Sequence, residues 1–332
     1  MGQRIARHVL AERSGIEYVG AIDVSPALEG KDLGEVAGVG RTGVRVTGDA
    51  AMVFEETRPD IAIYTTVSRL RAFLPQTEIA IRNGVNVIST CEELAYPLFI
   101  DAELAGKYDQ MCKTHGMTML GTGINPGFLM DMRASVLSAA CKDVQRIEVT
   151  RRLDASSRRE SFQKKIGAGL DGDEYRGATA SGQITGQVGL ELSICLIADA
   201  LGWQLDEVRV TGPDPVIAER QVSSEYFTVA RGQVKGTQQE AIGIVGGEER
   251  IRLCLSAFLG ATPSFDEVVI VGTPEVRARV SPCWHGDDGT VAMVVNLLPV
   301  VINAHPGLVT ANDLVPVCFK SGNVGRFVEP RS

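Results

Sequence analysis

A chain of 332 residues, 44% of them hydrophobic, is long enough for two domains and can bury a sizeable core. Its net charge of −8 argues against a nucleic-acid partner, whose binding leans on Lys and Arg. No run of about 18 consecutive apolar residues occurs, so no membrane span is expected, and no apolar signal region is read at the N-terminus.

In chain order, Met1 to Leu10 reads as a helix with Ile5, Ala6, Val9 and Leu10 on one face, ended at Gly15. Ile16 to Ile22 reads as a strand closed by Asp23. Together they form the second half of a dinucleotide-binding βαβ unit. Gly2 stands where the third glycine of G-x-G-x-x-G belongs. Asp23 follows about 20 residues later, where an acid accepts from the ribose 2′-hydroxyl. Taken alone, that spacing is better explained by a surface Asp after a strand. The alternation that follows gives it weight.

Val44 to Val46 is a short strand, and Asp49 can cap a helix running to about Arg58. Residues 60–66 form a strand ending in Thr65 and Thr66, with Ser68 just beyond. Such small polar side chains let a cofactor approach, and they equally make ordinary turns. Pro75 to Asn83 reads as a helix stopped by Gly84. Val85 to Thr90 is a buried strand that breaks into Cys91-Glu92-Glu93. A helix from about Phe99 to His115 leads to a second apolar strand, Met117 to Leu120. That strand ends in the glycine-bearing loop Gly121 to Phe128. This alternation means a Rossmann-type, doubly wound parallel sheet, an α/β fold whose ligands sit outside the carboxyl ends of the strands.

After Cys141 the character changes. Val144 to Thr150 alternates as a half-exposed antiparallel strand does. A cation-rich connection follows, through Arg151, Arg152, Arg158, Arg159, Lys164 and Lys165, to the turn Gly167-Ala168-Gly169. An apolar helix at 187–201 precedes strand-like runs at 207–211, 226–230, 241–245, 251–257 and 267–271. The reading is an α+β domain on an antiparallel sheet. A last helix, from Thr290 to about Ala304, is expected to pack back on the first domain. The seven cysteines are scattered and never spaced C-x-x-C, which fits a reducing cytoplasm. The four histidines never pair at metal-ligand spacing, so no metal is expected.

Four stretches resemble the 2,4-diaminopentanoate dehydrogenase family, which includes the native amine dehydrogenases. They are Ser89 to Pro97, Gly121 to Phe128, Lys164 to Leu170, and Asn296 to Pro299 with Ala304 to Leu308. The resemblance spans nearly the whole chain. It implies a Rossmann domain, a dihydrodipicolinate-reductase-like C-terminal domain and a homodimer. It also implies NAD- or NADP-dependent oxidation of an amine to a ketone and ammonia, or the reverse reductive amination. The expected divisions are 1–140 for the dinucleotide-binding domain, 141–289 for the substrate and dimerisation domain, and 290–332 for the returning helix and tail.

The resemblance assigns the proton chemistry to a glutamate of Cys91-Glu92-Glu93. Adjacent side chains point in different directions, so one of the pair is catalytic and the other supports it. Glu92 is preferred and Glu93 kept. Without the family, two acids after a strand would more often be a charge pair favoured at a helix start. The cofactor set is Gly2, Asp23, Thr65, Thr66, Ser68, Thr90, Cys91, Asn125 and Pro126. Phe128, Arg152 and Lys165 are the substrate candidates, although taken alone a Phe there is more often core and a basic run more often a solvated face.

Two departures stand out. The family pattern Gly-His-Val-Gly-Leu reads Gly186-Gln187-Val188-Gly189-Leu190 here. A strand and the first two glycines, which the family places before Gly2, do not occur. Met1 is accordingly expected to be an internal methionine of a longer protein, with about a dozen further residues ending in Gly-x-Gly. Without that strand, backbone groups at the centre of the sheet are expected to lie buried and unpaired. Two other functions compete. A dihydrodipicolinate-reductase-like imine or enamine reductase would carry a His-His-x-x-Lys-x-Asp-Ala-Pro-Ser-Gly-Thr run, absent here. A non-catalytic nucleotide-binding Rossmann protein fits the missing glycines but not the retained Glu92 and Glu93.

Overall fold

Helix α1 (Gly2–Glu12) forms because Ile5, Ala6 and Val9 fall on one face, and all three are buried. The computed structural model that shows this describes residues 1–330. From α1 the chain runs through β1 (Ala21–Ile22), α2 (Leu33–Ala37), β2 (Val46–Thr47), α3 (Ala50–Thr57), β3 (Ile61–Tyr64), α4 (Leu70–Arg82) and β4 (Asn86–Ser89). A 3-10 turn at Glu92–Ala95, α5 (Pro97–Ile100), α6 (Ala102–His115) and β5 (Thr118–Gly121) follow. The next elements are α7 (Met132–Ser138), β6 (Asp143–Asp154), α8 (Glu160–Lys165), α9 (Gly172–Ala180), α10 (Leu190–Leu201) and β7 (Glu207–Ile217). Then come β8 (Val222–Ser223), β9 (Thr228–Val229), β10 (Val234–Val245), β11 (Glu248–Phe258), β12 (Phe265–Thr273), β13 (Val276–Val280), α11 (Gly286–Ile302) and β14 (Gly307–Val309). Among the described residues no helix is long and apolar enough to cross a membrane.

The chain divides into two compact units. The first holds Met1–Phe128 and the segment from Gly286 onward; the second is Leu129–His285. The crossings therefore fall at 128/129 and 285/286, where the sequence places its divisions at 140/141 and 289/290.

In the first unit, β14, β5, β4 and β3 form a parallel sheet in that order. Both faces are covered, as parallel sheets require. Alternation along the strands sends Ile88 and Leu120 into one cluster with Ile5, Val9 and the α11 residues Val294 and Leu297. Val87 and Met119 enter another, with Phe73, Leu74, Tyr108 and Cys112. Helix α6 is shorter than its sequence pattern, because Asp101 interrupts it and caps the second part by accepting from Leu104 N at 3.1 Å.

The parallel order is interrupted between β1 and β3. β1 pairs only with β2, in a separate two-stranded sheet. Ile16 to Ile22 thus yields a strand only at Ala21–Ile22. Val19 and Ile22 are each 41% exposed. All four β3 residues are half-buried, whereas β4 and β5 are buried throughout. The residues flanking the gap are therefore partly exposed, not buried as expected.

The second unit is a six-stranded sheet in the order β13-β12-β6-β11-β10-β7. Every neighbouring pair is antiparallel except β11 and β6, which run parallel, so the sheet is mixed rather than purely antiparallel. The parallel pair arises because the chain leaves β6 through three helices before β7, β10 and β11 are laid down. Strand β6 extends through Arg151 and Arg152, which the sequence places in a connection. Ile147, Val149, Arg151 and Leu153 turn to its buried face, and Glu148, Thr150 and Arg152 to the half-exposed one.

Two predictions follow from this architecture. Asp60 and Tyr64 give their carbonyls to Asn86 N and Thr90 N on the β4 side. Parallel geometry then turns the amides of Ile61 and Ile63 the other way, where no strand pairs. In hydrogen exchange those two amides should exchange far faster than that of Ile88; equal protection would mean that this edge is paired. The second concerns Asp32, 6% exposed, which caps α2 and accepts from Gly34 N, Thr42 N and Gly43 N at 2.8, 3.0 and 2.7 Å. These bonds, that from Thr42 first, hold its carboxyl well below the usual carboxylate range despite partial desolvation. Its stabilisation is fully present above the unfolded-state pKa of about 4 and fades as the pH falls below it. In urea unfolding, the stability gap between wild type and Asp32→Asn should shrink as the solution is acidified; a gap independent of pH would contradict this.

Candidate active site

The carboxyl ends of β3, β4 and β5 lie side by side and release Thr65, Thr90 and Thr122. The Thr122 amide donates to Ser89 O at 2.8 Å, so the last two strands stay in register to their ends. After β4 the chain turns at once. The Cys91 amide donates to Ser89 Oγ at 3.0 Å, Leu94 N to Cys91 O at 3.1 Å, and Glu93 N to Ser68 O at 3.3 Å. The turn lies so close to β5 that a Cβ on Gly121 would stand 2.4 Å from the Leu94 carbonyl carbon. Only glycine admits this approach.

The two glutamates of the turn have different fates. Glu93 is 7% exposed. Its Oε1 accepts from Arg69 Nη1 at 2.7 Å, and its Oε2 from Leu70 N, the first residue of α4, also at 2.7 Å. It is a cap for α4 brought from a distant part of the chain. This explains why α4 starts at Leu70, five residues ahead of Pro75, where the sequence begins it. Glu92 is half-exposed, and its carboxylate makes no hydrogen bond or ion pair among the described residues. The thiol between β4 and the pair, Cys91, is 1% exposed, and burial pushes its pKa up to about 12, with the two glutamates adding to the rise. It is a neutral packing group, and all seven cysteines are free thiols.

The glycine loop after β5 is anchored at its middle. Ile124 N donates to Thr290 Oγ1 at 3.2 Å, and that hydroxyl donates in turn to Gly286 O at 3.0 Å in the first turn of α11. Gly127, with φ of +122°, folds the loop so tightly that a Cβ would lie 2.8 Å from the Gly123 backbone. Pro126 sits in this loop rather than at a helix start; the next helix, α7, begins at Met132. Asn125 is half-buried beside it, and Phe128 packs against the cluster around α11.

Gly2 lies at a close approach. A Cβ there would meet Thr65 Oγ1 at 2.9 Å, so α1 approaches the end of β3 closely. No side chain caps α1 at Met1. Asp23, exposed just after β1, accepts from Ser25 N through Oδ1 at 2.8 Å, and its Oδ2 has no partner among the described residues. An exposed acid just after a strand is the kind of group that can accept from a ribose hydroxyl. Thr66 is turned outward, its hydroxyl on Gln76 Oε1 at 2.8 Å. Ser68 acts through its carbonyl on Glu93. The cavity of ≈ 370 Å³ beside Val19, Gly20, Val46 and Met52 contains none of these residues.

In the second unit, Arg152 stacks over Phe258, its guanidinium carbon 5.3 Å from the ring centroid, and Lys165 is exposed at the end of α8. Arg151 is buried against Asp266, 3.3 Å away. Among the described residues, no group of three His, Cys, Asp or Glu side chains could hold a metal. The sequence reading missed Arg69 and Thr290. A cation just ahead of a helix and a threonine one turn into a helix are too common to stand out alone.

Residues 128–326 match the family described as 2,4-diaminopentanoate dehydrogenase C-terminal domain, and residues 1–91 the family described as dihydrodipicolinate reductase, N-terminus. The 2,4-diaminopentanoate dehydrogenase of Acetoanaerobium sticklandii is 31% identical, with 92% of this chain and 88% of that protein aligned. The chain belongs to the 2,4-diaminopentanoate dehydrogenase family. An amine dehydrogenase of Streptomyces virginiae is 25% identical over 97% of this chain and 96% of its own. The solved structure of the amine dehydrogenase from Mycobacterium smegmatis superposes with a TM-score of 0.81 at 25% identity, covering 97% of this chain and 95% of that one. Within the family's β4 motif, the two glutamates are thus separated by their bonding.

The separation is measurable through stability. Glu93→Gln removes the charge from two short hydrogen bonds and should cost about 1–3 kcal/mol of unfolding free energy. Glu92→Gln should cost less than about 0.5 kcal/mol. Equal losses in denaturant melts would mean that Glu92 is also structurally engaged.

Proposed function

We propose that this protein is an NAD(P)-dependent amine dehydrogenase in which Glu92 is the acid/base. One observation carries the reading. In a chain of this family, Glu92 is the unengaged carboxylate at the carboxyl edge of the sheet, while its neighbour is committed to capping α4. Gly2, Thr65 and Asp23 would hold the dinucleotide. Thr66, Ser68, Thr90, Cys91, Asn125 and Pro126 would border it, several of them through backbone alone. When bound, the nicotinamide supplies or accepts the hydride.

The protein's own part is proton handling. Oxidation of an amine requires loss of a proton from nitrogen as hydride leaves carbon, and the imine must then take up water. A carboxylate at Glu92 can accept that proton and then orient the water and take one of its protons. In reductive amination the same group, protonated, returns a proton to nitrogen. The Thr290 hydroxyl, holding Ile124 N, keeps the loop backbone beside this edge in one conformation. Phe128, Arg152 and Lys165 are the substrate-side candidates. Of these, Lys165 is exposed and makes no ion pair among the described residues. A homodimer is what membership of this family leads us to expect, with the half-exposed face of the six-stranded sheet as its candidate surface. The seven free thiols are in keeping with the cytoplasm.

NADH oxidation should depend on both a ketone and ammonium. Cofactor binding without turnover on any ketone would favour a nucleotide sensor, and turnover of a cyclic imine without ammonium would favour a reductase. Coenzyme choice gives a second prediction. Asp23 should repel a 2′-phosphate and accept from a free 2′-hydroxyl, so kcat/KM with NAD(H) should equal or exceed that with NADP(H). Asp23→Ala should narrow the gap. A strong NADP(H) preference in the wild type would show that Asp23 does not meet the ribose.

A further inference from the structure

Arginines bind carboxylates side-on through Nε and Nη2, whose N–H groups point the same way. The second unit holds three such forks that can be compared. Arg209 gives Nε and Nη2 to Glu207 at 2.7 and 2.6 Å. Arg252 gives both to Glu249 at 2.7 Å each. Arg133, in the first turn of α7, differs. Its Nε and Nη2 are shielded from solvent, and neither meets an acceptor. The guanidinium is held by its other parts. Nη1 donates to the Asp266 carbonyl at 3.4 Å, and the group lies over the Trp284 ring, 5.6 Å from the centroid.

The charge around it does not balance. Arg151, 5% exposed, stands 3.3 Å from Asp266 Oδ1 and donates to Trp284 O at 2.7 Å. Asp266, 1% exposed, spends Oδ2 on Trp284 N at 2.8 Å. Two guanidiniums thus share one carboxylate, and Arg133 reaches only that residue's main chain. Burial weakens the hold of Arg133 on its proton, and Arg151 weakens it further, against a partial offset from Asp266. A buried charge is stable when paired and hydrogen-bonded. One planar monoanion with two oxygens would satisfy the fork and neutralise the excess. The ring of Trp284, 36% exposed, puts the cluster at the border of solvent.

We propose that Arg133 is a carboxylate-binding residue, taking a small carboxylate side-on through Nε and Nη2 with Trp284 stacked on its guanidinium. The carboxylate belongs either to the substrate or to a free organic acid. Binding of a free acid is read without turnover, so this test stands whether or not Glu92 is the acid/base.

The protein has two tryptophans, and a Trp203→Phe variant leaves Trp284 as the sole indole reporter. Titration with acetate should change its fluorescence saturably, and acetamide should not. Arg133→Lys keeps the charge but loses the fork and should weaken binding about tenfold. Arg133→Met should abolish it, with unchanged circular dichroism. The source is found by comparing kcat/KM for amines with and without a carboxylate. If Arg133→Lys erases a preference for the carboxylated amine, the fork serves the substrate. If acetate binding weakens while that preference stays, it serves a free acid. Either result upholds the fork. A non-saturable response in the wild-type Arg133 background, or equal affinity in Arg133→Met, overturns it.

Discussion

The carboxylate of Glu93 holds together the part of the molecule where the chemistry is placed. It joins the turn after β4 to the start of α4 through Leu70 N and Arg69. Leu70 N would otherwise be one of the unsatisfied amides that every helix start presents. A charged acceptor is well suited to that position, where the helix dipole also favours it. Because Glu93 turns inward to make these bonds, the adjacent residue is turned elsewhere, and Glu92 keeps a free carboxylate at the strand end. The close approach at Gly121 adds a second constraint on the same turn. Arg69 is 63% exposed along its side chain, so the ion pair itself contributes modestly. The buried bond to Leu70 N carries most of the restraint.

The first unit draws its rigidity from both chain segments that build it. Helix α11 enters from the second crossing and packs Val294 and Leu297 against Ile88 and Leu120. Thr290, one turn into that helix, then holds the glycine loop. Residues on either side of the inserted second unit therefore meet at one end of the parallel sheet. The other side of this unit is less consolidated. β1 and β3 do not pair, and their apolar residues remain partly in water. The unit is thus consolidated around β4, which leads to Glu92, and less so around β1, which leads to Asp23.

Much of this was legible in the sequence where one local rule decided the outcome. The runs at β4 and β5 are apolar because both faces are buried, and Asp49 caps α3 through Met52 N at 3.0 Å. The family motifs, read with those strands, placed the glutamate pair at a strand end. What escaped depended on partners far along the chain. The start of α4 needed Glu93. The continuation of β6 through Arg151 needed Asp266, its cross-strand partner on β12. Ile16 to Ile22 looked like a full strand, but extended backbone counts as a strand only where a neighbour bonds it. The choice between Glu92 and Glu93 was likewise invisible, since adjacency cannot say which side chain is occupied.

The central claim is that Glu92 moves the proton. Its most direct test is the turnover of Glu92→Gln in reductive amination, measured beside its dissociation constant for the reduced cofactor. The account predicts a fall in kcat on the order of 10² to 10⁴ with cofactor binding and fold unchanged. Near-normal turnover in Glu92→Gln would contradict it.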